Sequence, residues 1–501
     1  MDVAALLDSY KVDQAHARKV ADLALALYDA VAGRYDLPQR QRRLLEVGGL
    51  LHNVGLTTDP PAHHLVGRDI VLRHPIAGLS PRERALVACM VAFHRKKVRP
   101  ELEPAYLALG KQARREARQL AAILRVADGL DYSQSQSTDL VALEPLEGAL
   151  LLRLAGPHAA GDGARAVAKA DLWARVFDEP LRAEGDGAGP TSAAGEPGED
   201  EAPILAPWYA APDAPLAELG RVLLRRHLRR LLAAERGVRA DKGIEQVHNL
   251  RVATRRLRAT LRLLAPVYAG PDLRAHGKAV GKTARAAGAV RDRDVLLADL
   301  EARADALPEQ LAPSIAALAE TLRAERRAAH ADLVAYLDGD RHAAFLRAFA
   351  RAMNDPGCWD DRPRVRDLGG STLWRHYEAL RAHDRCGLPA DEEELHMMRI
   401  DGKRMRYVLE LFADTLGPRA DQAVQPLIAF QDHMGGLNDI AVARQLLAPH
   451  AAHGAAGPAV AAYLALREQE GARLRDELPA RWEQLGGDAY RRGLMELIVA
   501  L

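Results

Sequence analysis

Between Val247 and Leu264 the chain reads VHNLRVATRRLRATLRLL, with no proline or glycine to interrupt a helix of about five turns. Positions 247, 250, 254, 257, 261 and 264 carry Val, Leu, Thr, Leu, Leu and Leu, an apolar stripe at spacings of three and four. One residue along, His248, Arg251, Arg255, Arg258 and Arg262 form a cationic stripe on the adjoining face. Like charges at this spacing repel by a few tenths of a kcal/mol per pair, so a polyanion is the expected counterpart. The device recurs in LHMMRIDGKRMRYVLEL, residues 395–411. There the apolar line is Leu395, Met398, Met405 and Leu409, and the cationic line is His396, Arg399, Lys403 and Arg406.

The same periodicity predicts a mainly all-α protein. In the N-terminal part, helices are expected over 13–32 with Asp13 as N-cap, over 44–54 with Gly55 as C-cap, and over 67–73, 81–95 and 111–129. Two short apolar runs around Pro145 and Gly148, within 139–154, predict a small β-hairpin, and 164–181 returns to helix or mixed structure. Residues 183–207 are rich in Gly, Pro and acids and read as a flexible linker. Beyond it the pattern predicts helices over 215–236, 271–287, 292–305, 308–337 and 341–353, besides the first motif helix. A link at 354–370 then leads into a second copy of the plan.

The two motif helices are related by an offset of 148 (396 − 248), which also holds for Arg251/Arg399, Arg255/Lys403, Arg256/Arg404 and Arg258/Arg406. GAVRDRDV from Gly288 and GGLNDIAV from Gly435 repeat at 147 (435 − 288). Two motifs recurring at nearly one offset indicate an internal duplication. Two helical bundles related by an approximate twofold are expected, their basic helices meeting at a shared surface. Arg291, Asp292 and Asp294 mix both signs and read as internal ion pairs or caps, a role that Asn438 and Asp439 repeat. Lys278, Lys282 and Arg285 share one helical face, and Arg225 and Arg229 lie one turn apart, either as ordinary solvated faces or as additional anion contacts.

The doubled pattern H-x-x-R-[VI]-x-x-x-[RK]-R-[LM]-R, with GxxRDxDV and GGLND, resembles the CHAD domain, the conserved-histidine α-helical domain. The resemblance covers roughly residues 208–500. It implies a pair of four-helix bundles, about 208–355 and 356–501, around a basic cavity that binds inorganic polyphosphate. It implies association with polyphosphate granules, and polyphosphate-metabolising enzymes or granule proteins as further partners. The residues expected to hold polyphosphate are His248, Arg251, Arg255, Arg256, Arg258, Arg262, Lys278, Lys282, His396, Arg399, Lys403, Arg404 and Arg406. Arginine forks suit phosphate oxygens, which they bind in pairs.

In residues 1–182, His16, the pair His52–Asn53 and Asp128 have the residue types of a metal phosphohydrolase centre, in which imidazole and carboxylate hold a divalent ion that activates water. The spacing resembles an HD domain. LLHNVGL, His63–His64, LVACMVAFHRKK and LRVADGLDYSQSQS resemble more closely the HD-like domain at the C-terminal end of exopolyphosphatase/guanosine pentaphosphatase proteins. Asn53 stands where an HD enzyme has its metal-bridging aspartate, and the catalytic domain of those enzymes is expected to be absent. The expectation is therefore an accessory, non-catalytic domain needing no cofactor, with a divalent metal at His16, His52 and Asp128 as the alternative. A plain hydrogen bond between His52 and Asp128 in a helical core also fits. FHRKKVRP, from Phe93, reads equally as a solvated helix end or an anion contact.

Composition narrows the rivals. Over 501 residues, 69 Lys+Arg face 68 Asp+Glu for a net charge of +1, so the cationic stripes are local rather than global. Aromatics are 5%, which leaves few rings to stack bases and argues against nucleic acid as a partner. Three widely spaced cysteines, Cys89, Cys358 and Cys386, exclude a disulfide framework or a CxxC metal site. No secretory signal pattern or membrane-length apolar run occurs, and a cytoplasmic location is expected. Two alternatives stay open: an HD phosphohydrolase acting on polyphosphate or a nucleotide, with the basic half as its substrate-binding module, and a nucleic-acid-binding adaptor.

Overall fold

The structure, a computed structural model, describes residues 1–185, 211–271, 273–386, 391–417, 419–451, 456–499 and 501. It divides into two compact units, residues 1–207 with 347–356, and 208–346 with 357–501. The expected linker falls at 186–207 outside the described residues, and its first residues, 183–185, are instead the end of a strand.

The first unit contains α1 (Val3–Ser9), α2 (Gln14–Val31), α3 (Arg40–Leu51), α4 (His63–Arg73), α5 (Pro81–Phe93), α6 (Pro104–Ala108) and α7 (Lys111–Leu130). There follow β1 (Asp139–Leu146), β2 (Ala149–Ala155), α8 (Ala159–Ala168), α9 (Asp171–Phe177) and β3 (Leu181–Gly185). Asp13 caps α2 as expected, its carboxylate accepting from the amides of Ala15 and His16. α7 is buried without a break from Gln119 to Leu130, and α2, α3, α5, α8 and α9 pack on it. β1 and β2 form the expected antiparallel hairpin, with Gly148 at φ +69° in its turn. β3 joins β2 in parallel, a pairing across distant sequence that local alternation does not reveal.

α3 stops at Leu51, short of the expected Gly55 cap. Gly55 serves another purpose. A Cβ there would lie 2.3 Å from the His63 carbonyl oxygen and 2.6 Å from the Gly67 nitrogen, so its lack of a side chain lets the start of α4 approach.

The second unit is helical: α10 (Leu216–Arg239), α11 (Ile244–Leu263), α12 (Leu273–Ala302), α13 (Ala312–Asp338) and α14 (Asp340–Asn354), then α15 (Val365–Arg381), α16 (Glu392–Leu416), α17 (Arg419–Ala451), α18 (Gly457–Gly486) and α19 (Asp488–Val499). The last turns of α14 group with the first unit rather than with the repeat to which sequence assigned them. Expected helices over 271–287 and 292–305 are one continuous α12, because Gly288 is a single small residue within a helical stretch and does not break it.

Successive helices pack α10 to α13 and again α15 to α18. Between the two series α11 meets α16, α12 meets α17 and α13 meets α18. Each contact joins duplicated partners, which is what an approximate twofold requires. Leu296, Leu300, Leu318, Leu322, Leu447 and Tyr463, from α12, α13, α17 and α18, form one apolar cluster. Each such burial contributes roughly 1.5–3 kcal/mol. Among the described residues no helix is long and apolar enough to cross a membrane.

Candidate functional site

The stripes on α11 and α16 face as their phase demands. Val247, Leu250, Thr254, Leu257, Leu261 and Leu264 are buried, as are Leu395, Met398, Met405 and Leu409. His248, Arg251, Arg255, Arg258, Arg399, Lys403 and Arg406 are half-buried, while Arg262, His396 and Arg404 are exposed.

The cations divide by what they touch. Arg251 is ion-paired to Asp292 of α12, and Arg326 holds Asp294 at 3.0 Å, so these acids are internal partners. Arg256 reaches Glu410 across the helix pair at 3.5 Å. Arg406 donates to the same carboxylate at 2.6 Å and to Gln431 at 3.2 Å. Arg404 is bound to Asp401 at 2.7 Å. Arg256, Arg404 and Arg406 therefore hold carboxylates of this chain, which sequence spacing does not disclose.

Arg255, Arg399 and Lys403 make no ion pair among the described residues. Arg255 lies over the Tyr407 ring of α16, 6.0 Å from its centroid, and the buried Nε atoms of Arg255 and Arg399 have no hydrogen-bond partner. Burial together with repulsion from Arg399, Arg255 and Arg251 pushes the Lys403 ammonium down to about 7, with Asp439 opposing. Burial also lowers Arg399, relieved by Asp439 and worsened by Arg255 and Arg251. Burial and Arg291 lower His248, while Glu245 opposes. Arg251, Arg255, Arg399 and Lys403 thus form one mutually repelling group drawn from duplicated positions on two helices. Asp439, 147 residues after Asp292, is the second copy's counterpart of the Arg251 partner.

His396 lines a small cavity of about 130 Å³ between α16, α17 and α18, which it shares with Arg399, Arg444 and Arg475. Arg258, Arg262, Lys278 and Lys282 line a separate groove between α11 and α12.

In the first unit the structure gathers His16 from α2, His52 just past α3, and Asp128 near the end of α7. One ligand atom from each lies within 4.8 Å of the others. His16 donates Nδ1–H to Asp131 at 2.8 Å, and His52 donates Nδ1–H to the Gly49 carbonyl at 2.6 Å. Their Nε2 atoms face each other at 3.2 Å, with Asp128 3.9 Å and 3.6 Å from them. Imidazoles oriented outward through Nδ1–H and converging through Nε2 beside a carboxylate make a donor set that fits a divalent metal.

The same geometry is satisfied by a proton on His16, whose Nε2–H then donates to His52. Burial opposes the charge on His16, but Asp131 and Asp128 outweigh it and its pKa rises. Burial lowers His52 to about 4. The Lys169 ammonium is hydrogen-bonded to the other oxygen of Asp128. Burial would raise the Asp128 carboxyl, yet Lys169, His52 and His94 hold it well below the usual range. Asp131 and Lys169 were not singled out from sequence. Asp131, in RVADGLD, offered a signal as the next acid after Asp128.

A second histidine pair adjoins. His63 Nδ1 lies 2.8 Å from the Pro60 carbonyl and 2.9 Å from the Arg95 guanidinium, which donates to the same carbonyl at 3.2 Å. His63 Nε2 meets His94 Nε2 at 3.2 Å, and His94 donates Nδ1–H to the Val91 carbonyl at 2.7 Å. The head of FHRKKVRP thus packs against His63 and the Pro60 carbonyl.

Comparison with known proteins agrees with both motif assignments. Residues 222–448 match the CHAD domain, and residues 1–155 match the Ppx/GppA phosphatase, domain III. A curated relative is the guanosine-5'-triphosphate,3'-diphosphate pyrophosphatase of Aeromonas hydrophila subsp. hydrophila, 30% identical over 152 residues. That alignment takes in 30% of this chain and 30% of the relative, so the chain spans under a third of that protein's length. Among solved structures, the CHAD domain from the plant Ricinus communis aligns at 25% identity over 59% of this chain and 95% of its own, with a TM-score of 0.46. PptA from Streptomyces chartreusis aligns at 18% identity over 54% and 100%, with a TM-score of 0.42.

Proposed function

We propose that this chain, in which a Ppx/GppA domain III precedes a CHAD domain, binds inorganic polyphosphate through the cations that α11 and α16 bring together. The observation that carries the reading is the group Arg251, Arg255, Arg399 and Lys403. Burial and, after it, the neighbouring Arg399, Arg255 and Arg251 bring the Lys403 ammonium to about 7, and a polyanion relieves the repulsive part of that cost. Polyphosphate carries about one charge per phosphate and no base to read, so rigidly placed guanidinium forks and an ammonium are sufficient to recognise it. His248 sits at the margin of this group, and the paired Arg256, Arg404 and Arg406 act as its scaffold. A basic cavity between the two bundles, lined by these cations, is part of the proposal, and polyphosphate granules are the proposed location.

Changing Arg251, Arg255, Arg399 and Lys403 to Ala should lower affinity for long-chain polyphosphate by at least about a hundredfold, at about 1.5–3 kcal/mol per charged hydrogen bond lost. Helical circular dichroism should stay intact. Retained affinity in a folded variant would place the ligand elsewhere.

The domain III region is proposed as a non-catalytic accessory, because Asn53 replaces a carboxylate and Lys169 already neutralises Asp128. One observation favours a second reading, a metal-dependent hydrolase: the convergence of His16, His52 and Asp128. It predicts phosphate release from polyphosphate with added Mn²⁺ or Mg²⁺ that His52→Ala abolishes. No release above the variant's level would dismiss it.

A further inference from the structure

The duplication gives α12 and α17 one framework. Val280, Thr283, Ala287 and Val290 are buried on α12, and so are Leu427, Phe430, Met434 and Leu437, each 147 positions later, on α17. What each helix presents outward differs. In the first half, α11 and α12 bound a groove of about 560 Å³ whose lining includes Arg258, Arg262, Arg274, Lys278, Lys282 and Arg285 and, among the described residues, contains no carboxylate. None of these six cations has an ion pair among the described residues. Gly277 and Gly281 keep the groove open. A Cβ at the first would meet nothing within 4 Å, and at the second only the Arg285 guanidinium at 3.9 Å.

In the second half the same positions read Arg406, Glu410, Asp421, Gln425, Ala429 and Asp432, and the two glycines are Val424 and Ile428. Six cations have become one cation and three carboxylates, and that cation is bound to one of the three. The sign has reversed, and side chains occupy the places that glycine leaves bare.

We infer that the α11–α12 groove is a second subsite for the internal phosphates of a long polyphosphate, so that the chain leaves the shared cation group through the first half alone. The inference rests on the polyphosphate reading and adds a direction to it. The cationic stripe of α11 makes the two sites continuous: His248 to Arg262 spans fourteen residues, about 21 Å along the helix axis. Only an extended ligand reaches both ends, so a short phosphate chain engages the shared group and a long one also fills the groove.

The experiment compares tripolyphosphate with chains of more than about a hundred phosphates on the full-length protein, by calorimetry at several salt concentrations. Lys278→Glu with Lys282→Glu reverses charge in the groove, and Gly277→Val with Gly281→Ile copies the second half's side chains into it. Both should weaken long-chain binding on the order of tenfold and leave tripolyphosphate within about twofold, and the charge reversal should flatten the salt slope. The mirror change, Gln425→Glu with Ala429→Glu, should leave long chains unaffected, which separates the groove from a mere change in net charge.

Groove variants that bind long chains like the parent, or a mirror variant that loses as much, would overturn the groove. If Arg255→Ala with Arg399→Ala still weakens both ligands in that case, the underlying reading stands. A parent protein that binds neither ligand would overturn both.

Discussion

Binding of polyphosphate should draw a proton onto Lys403. In the free protein this ammonium is pushed down to about 7 by burial, by Arg399 on its own helix and by Arg255 and Arg251 of α11, with Asp439 of α17 opposing them. A polyanion seated on the group replaces that repulsion with attraction and returns the amine toward its ordinary 10.5. At pH 7.5 the free amine is about one-quarter protonated and the bound one fully so, giving an uptake of roughly 0.75 proton per site. Integrated over pH, the same shift weakens binding roughly fiftyfold between pH 7 and 9. Long chains keep terminal phosphates, which titrate near neutrality, from contributing. Calorimetry in buffers of different ionisation enthalpy reads the uptake directly. Lys403→Arg keeps the charge at every pH, so it should bind with affinity nearly flat from pH 7 to 9 and without uptake. Zero uptake by the parent at pH 7.5, or undiminished uptake by the arginine variant, would refute this account of the cluster.

Other consequences are as specific. Arg406→Ala removes a guanidinium that already holds Glu410 and Gln431, and should change long-chain affinity by less than about threefold. Arg255→Ala, which removes an unpaired cation, should cost on the order of tenfold in the same titration. The first unit should be acid-labile. His52 and His63 are held neutral to about 4 but take up protons near 6.5 once unfolded, so their stabilisation is present above pH 6.5 and lost as pH falls to 4. For His52 that shift is worth about 3 kcal/mol. His16 runs the other way, its contribution full below pH 6.5 and lost as pH rises through its raised value. Hydrogen exchange of α3 and α7 amides, corrected for intrinsic rates, should show protection falling below pH 6.5, and constant protection would contradict the histidine network. Gly55→Ala should destabilise the first unit by about 2–3 kcal/mol, since its Cβ meets the His63 and Gly67 backbones, and an unchanged melting temperature would count against that packing.

The motif helices were legible because their signal is local. A stripe at three-and-four spacing fixes which residues are buried, and Val247 through Leu264 followed it at every step. The duplication was legible from two motifs at nearly one offset, and the helix contacts across the twofold follow from it. Pairing was not legible. Whether Arg406 faces a ligand or Glu410, and whether Arg251 meets Asp292, depends on how helices cross, and a stripe does not encode that. β3 was missed for the same reason, since its partner strand β2 ends 26 residues earlier. Sequence alone makes Gly55 a helix cap, because glycine commonly is one, whereas in the structure a close backbone approach demands it. His16, His52 and Asp128 converged as expected, but Lys169 came from beyond the recognisable motif and alters what the cluster offers a metal.

The central claim is that facing cations on α11 and α16 recognise polyphosphate as such. The most direct test is calorimetric binding of long-chain polyphosphate to the full-length protein at physiological salt, repeated in the presence of excess single-stranded DNA. The account predicts tight binding that DNA barely disturbs and that Arg255→Ala with Arg399→Ala largely removes. Displacement by DNA at equal charge concentration, or binding indifferent to those two arginines, would contradict it.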